Sequence, residues 1–115
     1  MMSLMAVFEI PSSVKVYGKT YKVTLIADNA LKGRTGLKKL GIGANIEHIG
    51  KGAFDGCKNL KKIIIKSKKL TLEKTDNDAF KGINSKAVIK VPKGKADYYK
   101  KIVYSKGAGK SVKVK

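Results

Sequence analysis

Tryptophan is absent, and arginine, histidine and cysteine occur once each, as Arg34, His48 and Cys57, in a chain of 115 residues. Each scarcity removes a class of function. A lone cysteine forms no disulfide within the chain and leaves the redox compartment open. Cys57 and His48 are the only candidates for a nucleophile with a base, but in the repeat Cys57 takes an inward or semi-buried position, where a thiol is inert, and His48 lies in the turn before Ile49. One His and one Cys also fall short of the four ligands of a structural zinc site. With one arginine and no basic stretch interleaved with aromatics, the chain lacks the usual equipment for reading nucleic-acid bases. No apolar run approaches the ~20 residues of a membrane span. Met1–Ile10 is apolar, yet it has no basic leader and is too short for a secretion signal. The expectation is either a cytoplasmic chain or one that begins downstream of the true start of a longer protein.

Lysine is what the chain has in excess. The net charge is +18, and 43% of residues are hydrophobic, a share that supports one folded core and not a disordered tail. Such a field keeps copies apart and draws polyanions. The plainer explanation is solvation of a thin fold with much surface to cover.

The apolar residues repeat. Val23–Ile26 aligns on Ile46–Ile49, and the alignment continues with Ala30 on Ala53, Leu31 on Phe54, Gly33 on Gly56, Leu37 on Leu60, Leu40 on Ile63 and Ile42 on Ile65, always 23 residues apart. A third copy follows at an offset of 26, with Ala79-Phe80-Lys81-Gly82 and Ile89-Lys90-Val91, its extra residues falling in Leu70–Asp78. A partial copy opens the chain, where Ala6–Pro11 reads against Ala87–Pro92. Within each copy the Leu-x-x-Ile-x-Ile spacing describes a short strand with alternate residues inward. The recurring glycine at 33, 56 and 82 suits a tight turn at positive φ. One such coil cannot bury its own apolar side, so the copies must stack.

Between the partial copy and the first full one, Val14-Lys15-Val16 and Tyr21-Lys22-Val23 flank Tyr17–Thr20 and predict an inserted β-hairpin. It accounts for the 32 residues between Ile10 and Ile42. After Pro92 and Gly94, residues 96–105 predict a helix with Tyr99, Ile102 and Val103 on one face, and Val112 and Val114 alternate with lysine as a closing strand.

Other motifs carry little. Gly18-Lys19-Thr20 and Gly109-Lys110-Ser111 resemble the end of a phosphate loop, but Ser13 and Tyr104 stand where that loop needs glycine. Asp76-Asn77-Asp78 lacks the glycine and closing glutamate of a calcium loop and reads as a solvated insertion. No cofactor is expected.

The stretch from Ile49 to Ile63, Ile-Gly-Lys-Gly-Ala-Phe-Asp-Gly-Cys-Lys-Asn-Leu-Lys-Lys-Ile, resembles the repeat of the bacterial surface-antigen leucine-rich repeat family, the BspA-like or Treponema-type class. The likeness extends over residues 6–115, and the basic ending is similar to the C-terminal ends of such proteins. Leu31 and Arg34 in the first full copy and Ile83 in the third depart from the family's Phe and Cys. The resemblance implies an α/β right-handed leucine-rich-repeat solenoid on a secreted or wall-attached protein, with adhesion as its role and protein as its partner.

The expected domain is one unit over residues 1–115. It comprises a partial repeat with hairpin at 6–22, repeats at 23–45, 46–68 and 69–92, and a C-terminal cap at 93–115. Strands near 6–10, 38–42, 61–65 and 87–91 form one parallel sheet. Phe8, Ile10, Leu40, Ile42, Ile63, Ile65, Ile89 and Val91 line one side of the core, with Leu31, Phe54 and Phe80 opposite. The sheet's outer face shows Val7, Glu9, Gly41 and the expected binding residues Lys39, Lys62, Ile64, Val88 and Lys90. An anionic wall polymer is the alternative partner, and nucleic acid the next. Because only Met1–Met5 precede the first strand, that end is either covered by these five residues or bare. If bare, weak self-association that strengthens with salt is expected.

Overall fold

Short strands arise where the repeat places two or three inward apolar residues in alternation, and the repeat offsets become the register of the sheet. The computed structural model of the chain describes residues 6–115. Four strands follow the expected copies: β1 (Val7–Ile10), β5 (Lys39–Ile42), β7 (Lys62–Ile65) and β8 (Val88–Lys90). All pair in parallel, with Lys39 opposite Lys62 at the offset of 23 and Ile63 opposite Ile89 at the offset of 26. Val7 stands opposite Lys39, so the longer offset there is taken up by the hairpin. A fifth parallel strand, β9 (Lys113–Val114), joins β8 and completes the order β1-β5-β7-β8-β9.

Two further ladders tie the coils together away from this sheet. β4 (Leu25–Ile26) pairs in parallel with β6 (His48–Ile49), and Ile49 bridges to Thr75. In the turns, the backbone N–H groups of Asn29, Leu31 and Gly33 donate to the carbonyls of Lys51, Ala53 and Asp55, each at 2.8 Å. Gly52, Phe54 and Gly56 donate in the same way to Asn77, Ala79 and Lys81. Turn backbone that would otherwise be orphaned is thus satisfied by the next coil.

The core lies inside this triangle of ladders. Leu40, Ile42, Ile63 and Ile89 come from the sheet, Ile46, Ile49 and Leu60 from the corners, and Phe54 and Phe80 from the far side, all fully buried. The two phenyl rings sit 5.5 Å apart at an interplanar angle of 58°, a favourable tilted geometry. Two expected core residues are only half-buried: Leu31, at the position of Phe54, and Phe8. Ala30 is exposed although Ala53 and Ala79 are sealed. Among the described residues their coils have a neighbour on one side only, which leaves these side chains less covered than their counterparts in the inner coils.

Glycine does two jobs. Gly33, Gly56 and Gly82 have φ of 73°, 79° and 76°, as the repeated turn requires. Gly43 is needed for close approach. A Cβ there would lie 2.6 Å from the Ile10 carbonyl oxygen, because the chain leaves β1 across it to enter the hairpin. The equivalent position one coil later is Lys66, which is exposed.

The hairpin consists of β2 (Ser13–Val16) and β3 (Lys19–Lys22) in antiparallel register. Its loop is two residues, shorter than the four-residue Tyr17–Thr20 read from sequence. Tyr17 and Gly18 both take positive φ, 50° and 80°, as a type I′ turn demands, and that turn matches the twist of the flanking strands.

At the other end, helix α1 (Ala96–Ser105) buries Tyr99, Ile102 and Val103. The extra residues of the third copy are held by this helix. The Tyr99 hydroxyl donates to the Ser67 carbonyl at 2.8 Å and accepts from the Leu70 N–H at 3.3 Å, while the Tyr98 hydroxyl accepts from the Leu72 N–H at 3.1 Å. Ser67, itself buried, donates from its own hydroxyl to the Ile46 carbonyl. Asp76-Asn77-Asp78 is likewise structural and not merely a solvated insertion: Asp76 N–H donates to Ile49 O, and Asn77 O accepts from Gly52.

Candidate binding face

Strand alternation sends every second side chain of the five-stranded sheet out of the core. Register then aligns them in rows across the strands. One row runs Val7, Lys39, Lys62, Val88 and Lys113, and the next runs Glu9, Gly41, Ile64 and Lys90. The five expected binding residues therefore lie on one surface. Lys62 and Lys90 are exposed, and Lys39, Ile64 and Val88 are half-buried. Gly41, expected to be exposed, is buried. The Glu9 side chain folds over it, and a Cβ at 41 would collide with that carboxylate. Laid across Gly41, Glu9 Oε2 reaches Lys66 Nζ at 3.2 Å.

This pairing leaves the face electrostatically one-sided. Its only acid is engaged with Lys66, and among the described residues Lys39, Lys62 and Lys90 have no ion pair. Neighbouring strands lie about 4.8 Å apart, so Lys39 and Lys62, directly opposite, repel each other. Beside them Lys61, Lys62, Val88, Lys90 and Lys115 line an open groove of about 490 Å³. The arrangement offers ammonium groups around the aliphatic side chain of Val88, with Ile64 opposite Lys90 on the same face. It suits an extended ligand with carboxylates or phosphates and a few apolar groups. Lys61, Lys113 and Lys115 were not among the expected residues. The alternation Lys113-Val114-Lys115 could have marked the last two, since Val114 is buried and its neighbours face outward.

The catalytic candidates are not brought together. Cys57 is fully buried, and its thiol donates to the Leu31 carbonyl at 3.0 Å. Burial pushes its pKa up, although the Arg34 backbone opposes the shift, so the nucleophilic thiolate is disfavoured. His48 is a strand residue of β6 and not part of a turn, and its Nε2 sits 3.2 Å from Asp76 Oδ2. Among the described residues no three His, Cys, Asp or Glu side chains converge on a metal position, and no helix is long and apolar enough to cross a membrane. The Gly18-Lys19-Thr20 segment lies in the hairpin, with no helix after it.

Residues 7–112 match the family described as the BspA-type leucine-rich repeat region, in six copies. Among solved structures, a leucine-rich repeat protein from Bacteroides ovatus resembles the chain with a TM-score of 0.54 and 21% identity, over 76% of this chain. At that identity the likeness concerns the fold. The chain spans 30% of the length of that protein. No curated protein matches the chain.

Proposed function

The chain belongs to the BspA-type leucine-rich repeat family, and from that premise we propose that it is a non-enzymatic module that binds acidic segments of partner proteins through the outer face of its sheet. The observation that carries the reading is the row of Lys39 and Lys62 in register, unrelieved by any acid, beside Ile64, Val88 and Lys90. An anionic ligand removes a repulsion that the free protein tolerates, and Val88, with Ile64 on the same face, adds apolar contact. Extended sheet faces are where stacked repeats commonly meet their partners. In this reading the parent protein works at the cell surface or after secretion, as an adhesin toward host or neighbouring-cell protein.

A second reading has one observation in its favour. Eighteen of the 26 basic residues but only four of the eight acids fall in residues 58–115. This half of the stack would hold against an anionic wall polymer whether or not any side chain is read. Nucleic acid would bind by the same field, without base recognition.

Calorimetric titration of the full chain with a decameric glutamate peptide tests the face. The double variant Lys62→Glu/Lys90→Glu is expected to weaken binding by about tenfold or more, since it reverses charge at the centre of the groove. Lys68→Glu/Lys101→Glu alters net charge equally but away from the sheet, and it should change affinity by no more than about twofold. Equal losses from both pairs would mean that net charge alone drives binding and would sink the proposed face.

A further inference from the structure

Glu9 is the one acid on the lysine face among the described residues, and its side chain does not stand straight out from the sheet. It belongs to the outward row of Glu9, Gly41, Ile64 and Lys90. From β1 it bends across β5, lies over Gly41 and brings Oε2 to 3.2 Å from Lys66 Nζ. Lys66 directly follows β7, and its N–H donates to the Ile42 carbonyl at 2.9 Å, so the ladder continues to it. Alternation then puts Lys66 on the outer side with Lys62 and Ile64. The carboxylate of Glu9 is thereby held on the surface where ligand carboxylates are proposed to bind.

Gly41 makes that posture possible. Glycine inside a strand has no side chain to pack and weakens it, and it often marks a place where another group approaches the backbone closely. The backbone does not ask for glycine here, since Gly41 is not among the glycines with positive φ. What it supplies is room. The nearest atoms to a Cβ built at 41 are the two oxygens and the carbon of the Glu9 carboxylate. Ile64 and Lys90, the counterparts of Gly41 in the next two coils, carry side chains, so among them the notch occurs once. The hold on Glu9 is loose. Glu9 and Lys66 side chains are 56% and 57% exposed, and exposed pairs contribute little to folding. Such a contact biases what occupies the face and is readily exchanged.

We infer that the notch over Gly41 is a carboxylate seat of the binding face, with Lys66 as its cation, and that Glu9 is its resident occupant, a built-in competitor displaced by an acidic segment of the partner. The seat rests on the proposed use of this face, and it adds Gly41 and Lys66 to that surface. The occupant shows what fits: a carboxylate on a short aliphatic stem, as a glutamate or aspartate of an extended partner would present. Lys39 stands two residues before the notch on β5, and Ile64 borders it on β7. While Glu9 holds the seat, the apparent affinity is lowered to the fraction of molecules in which the seat is free. The exchange also discriminates. A partner must offer Lys66 an acid at least as well placed as Glu9, so segments with few acids are turned away.

Titration calorimetry of the full chain with the glutamate decamer reads the competition. Glu9→Ala vacates the seat and should tighten binding by about three- to fivefold, the size expected when an exposed ion pair stops competing. Glu47→Ala removes the same charge from an acid paired with Lys74 at the β4–β6 corner, and it should change affinity by less than about 1.5-fold. Lys66→Gln separates competition from plain repulsion. If Glu9 only repelled anions, removing it would help at least as much once Lys66 no longer neutralises it. A shared seat predicts the opposite: in the Lys66→Gln background the gain from Glu9→Ala should fall below about 1.5-fold. Glu9→Ala/Gly41→Ala fills the notch with a methyl group and should return affinity to within about 1.5-fold of the native chain. Glu9 and Lys66 are exposed, so their variants should leave the thermal midpoint in place. No gain from Glu9→Ala, an equal gain from Glu47→Ala, or a gain undiminished by Lys66→Gln overturns the inference. If Lys62→Glu/Lys90→Glu still weakens the decamer in that event, the proposed face stands without the seat. A decamer indifferent to Lys62, Lys66 and Lys90 alike overturns both.

Discussion

Phe54→Ala is expected to lower folding stability by about 3–5 kcal/mol, the range for a fully buried aromatic truncated in a core. The upper part of that range applies for a geometric reason. Phe54 is completely buried between two coils and packs on Phe80. The coils around it are spaced by backbone ladders, with Leu31 N–H bonded to Ala53 O and Phe54 N–H to Ala79 O. Neighbours cannot collapse into the vacated space without breaking those bonds, so the cavity persists. Against a typical total of about 5–15 kcal/mol, one such change places the domain near its threshold. Leu31→Ala supplies the comparison. It occupies the same repeat position in the end coil, where it is half-buried, and should cost no more than about 2 kcal/mol because less contact is lost. Urea denaturation of both variants reads the difference. Equal losses, or less than about 1 kcal/mol for Phe54→Ala, would mean that the coils are not stacked as described.

The second large effect is ionic. Binding of a phosphate polymer to the lysine face should fall by about 50-fold between 50 and 200 mM salt, the value for roughly four neutralised phosphates on a flexible single strand. Four is the number of lysines in the groove: Lys61, Lys62, Lys90 and Lys115. A protein partner that also uses Ile64 and Val88 keeps its apolar contribution as salt rises, so its affinity should decline less steeply. The two readings of function therefore separate on one plot of affinity against salt. Salt-insensitive binding of the polymer, or a slope far above that of four contacts, would show that the groove is not what holds it.

Much of the fold could be read in the sequence because stacked coils turn a linear offset into a spatial neighbour. Leu40, Ile63 and Ile89 stand side by side in the sheet at the spacings found by aligning the chain on itself. The hairpin was marked by alternating apolar residues about Tyr17-Gly18, and the glycine turns by recurrence at 33, 56 and 82. Features that occur once were not legible. Gly43 is dictated by the path from Ile10 to Pro11, and Lys66 in the next coil masks the requirement. The Tyr99 hydroxyl finds Ser67 and Leu70 across about thirty residues of chain, which no periodicity reports. Gly41 was placed on the open face by alternation, correctly for its backbone. That Glu9 would cover it follows only from the absence of a Cβ and the position of Lys66. For the binding face, alternation placed Lys39, Lys62, Ile64, Val88 and Lys90; alternation also marks Lys113 and Lys115 as outward, but that they join this same face follows only from the last strand adding in parallel beside β8.

The claim that ligands meet the outer face of the sheet is tested most directly by amide chemical-shift mapping during titration with the glutamate decamer. The account predicts that perturbed amides cluster on one surface, at residues 39–41, 61–64, 88–90 and 113–115. Shifts concentrated instead in the opposite turns, at residues 29–33, 51–56 and 77–82, with the sheet unmoved, would contradict it.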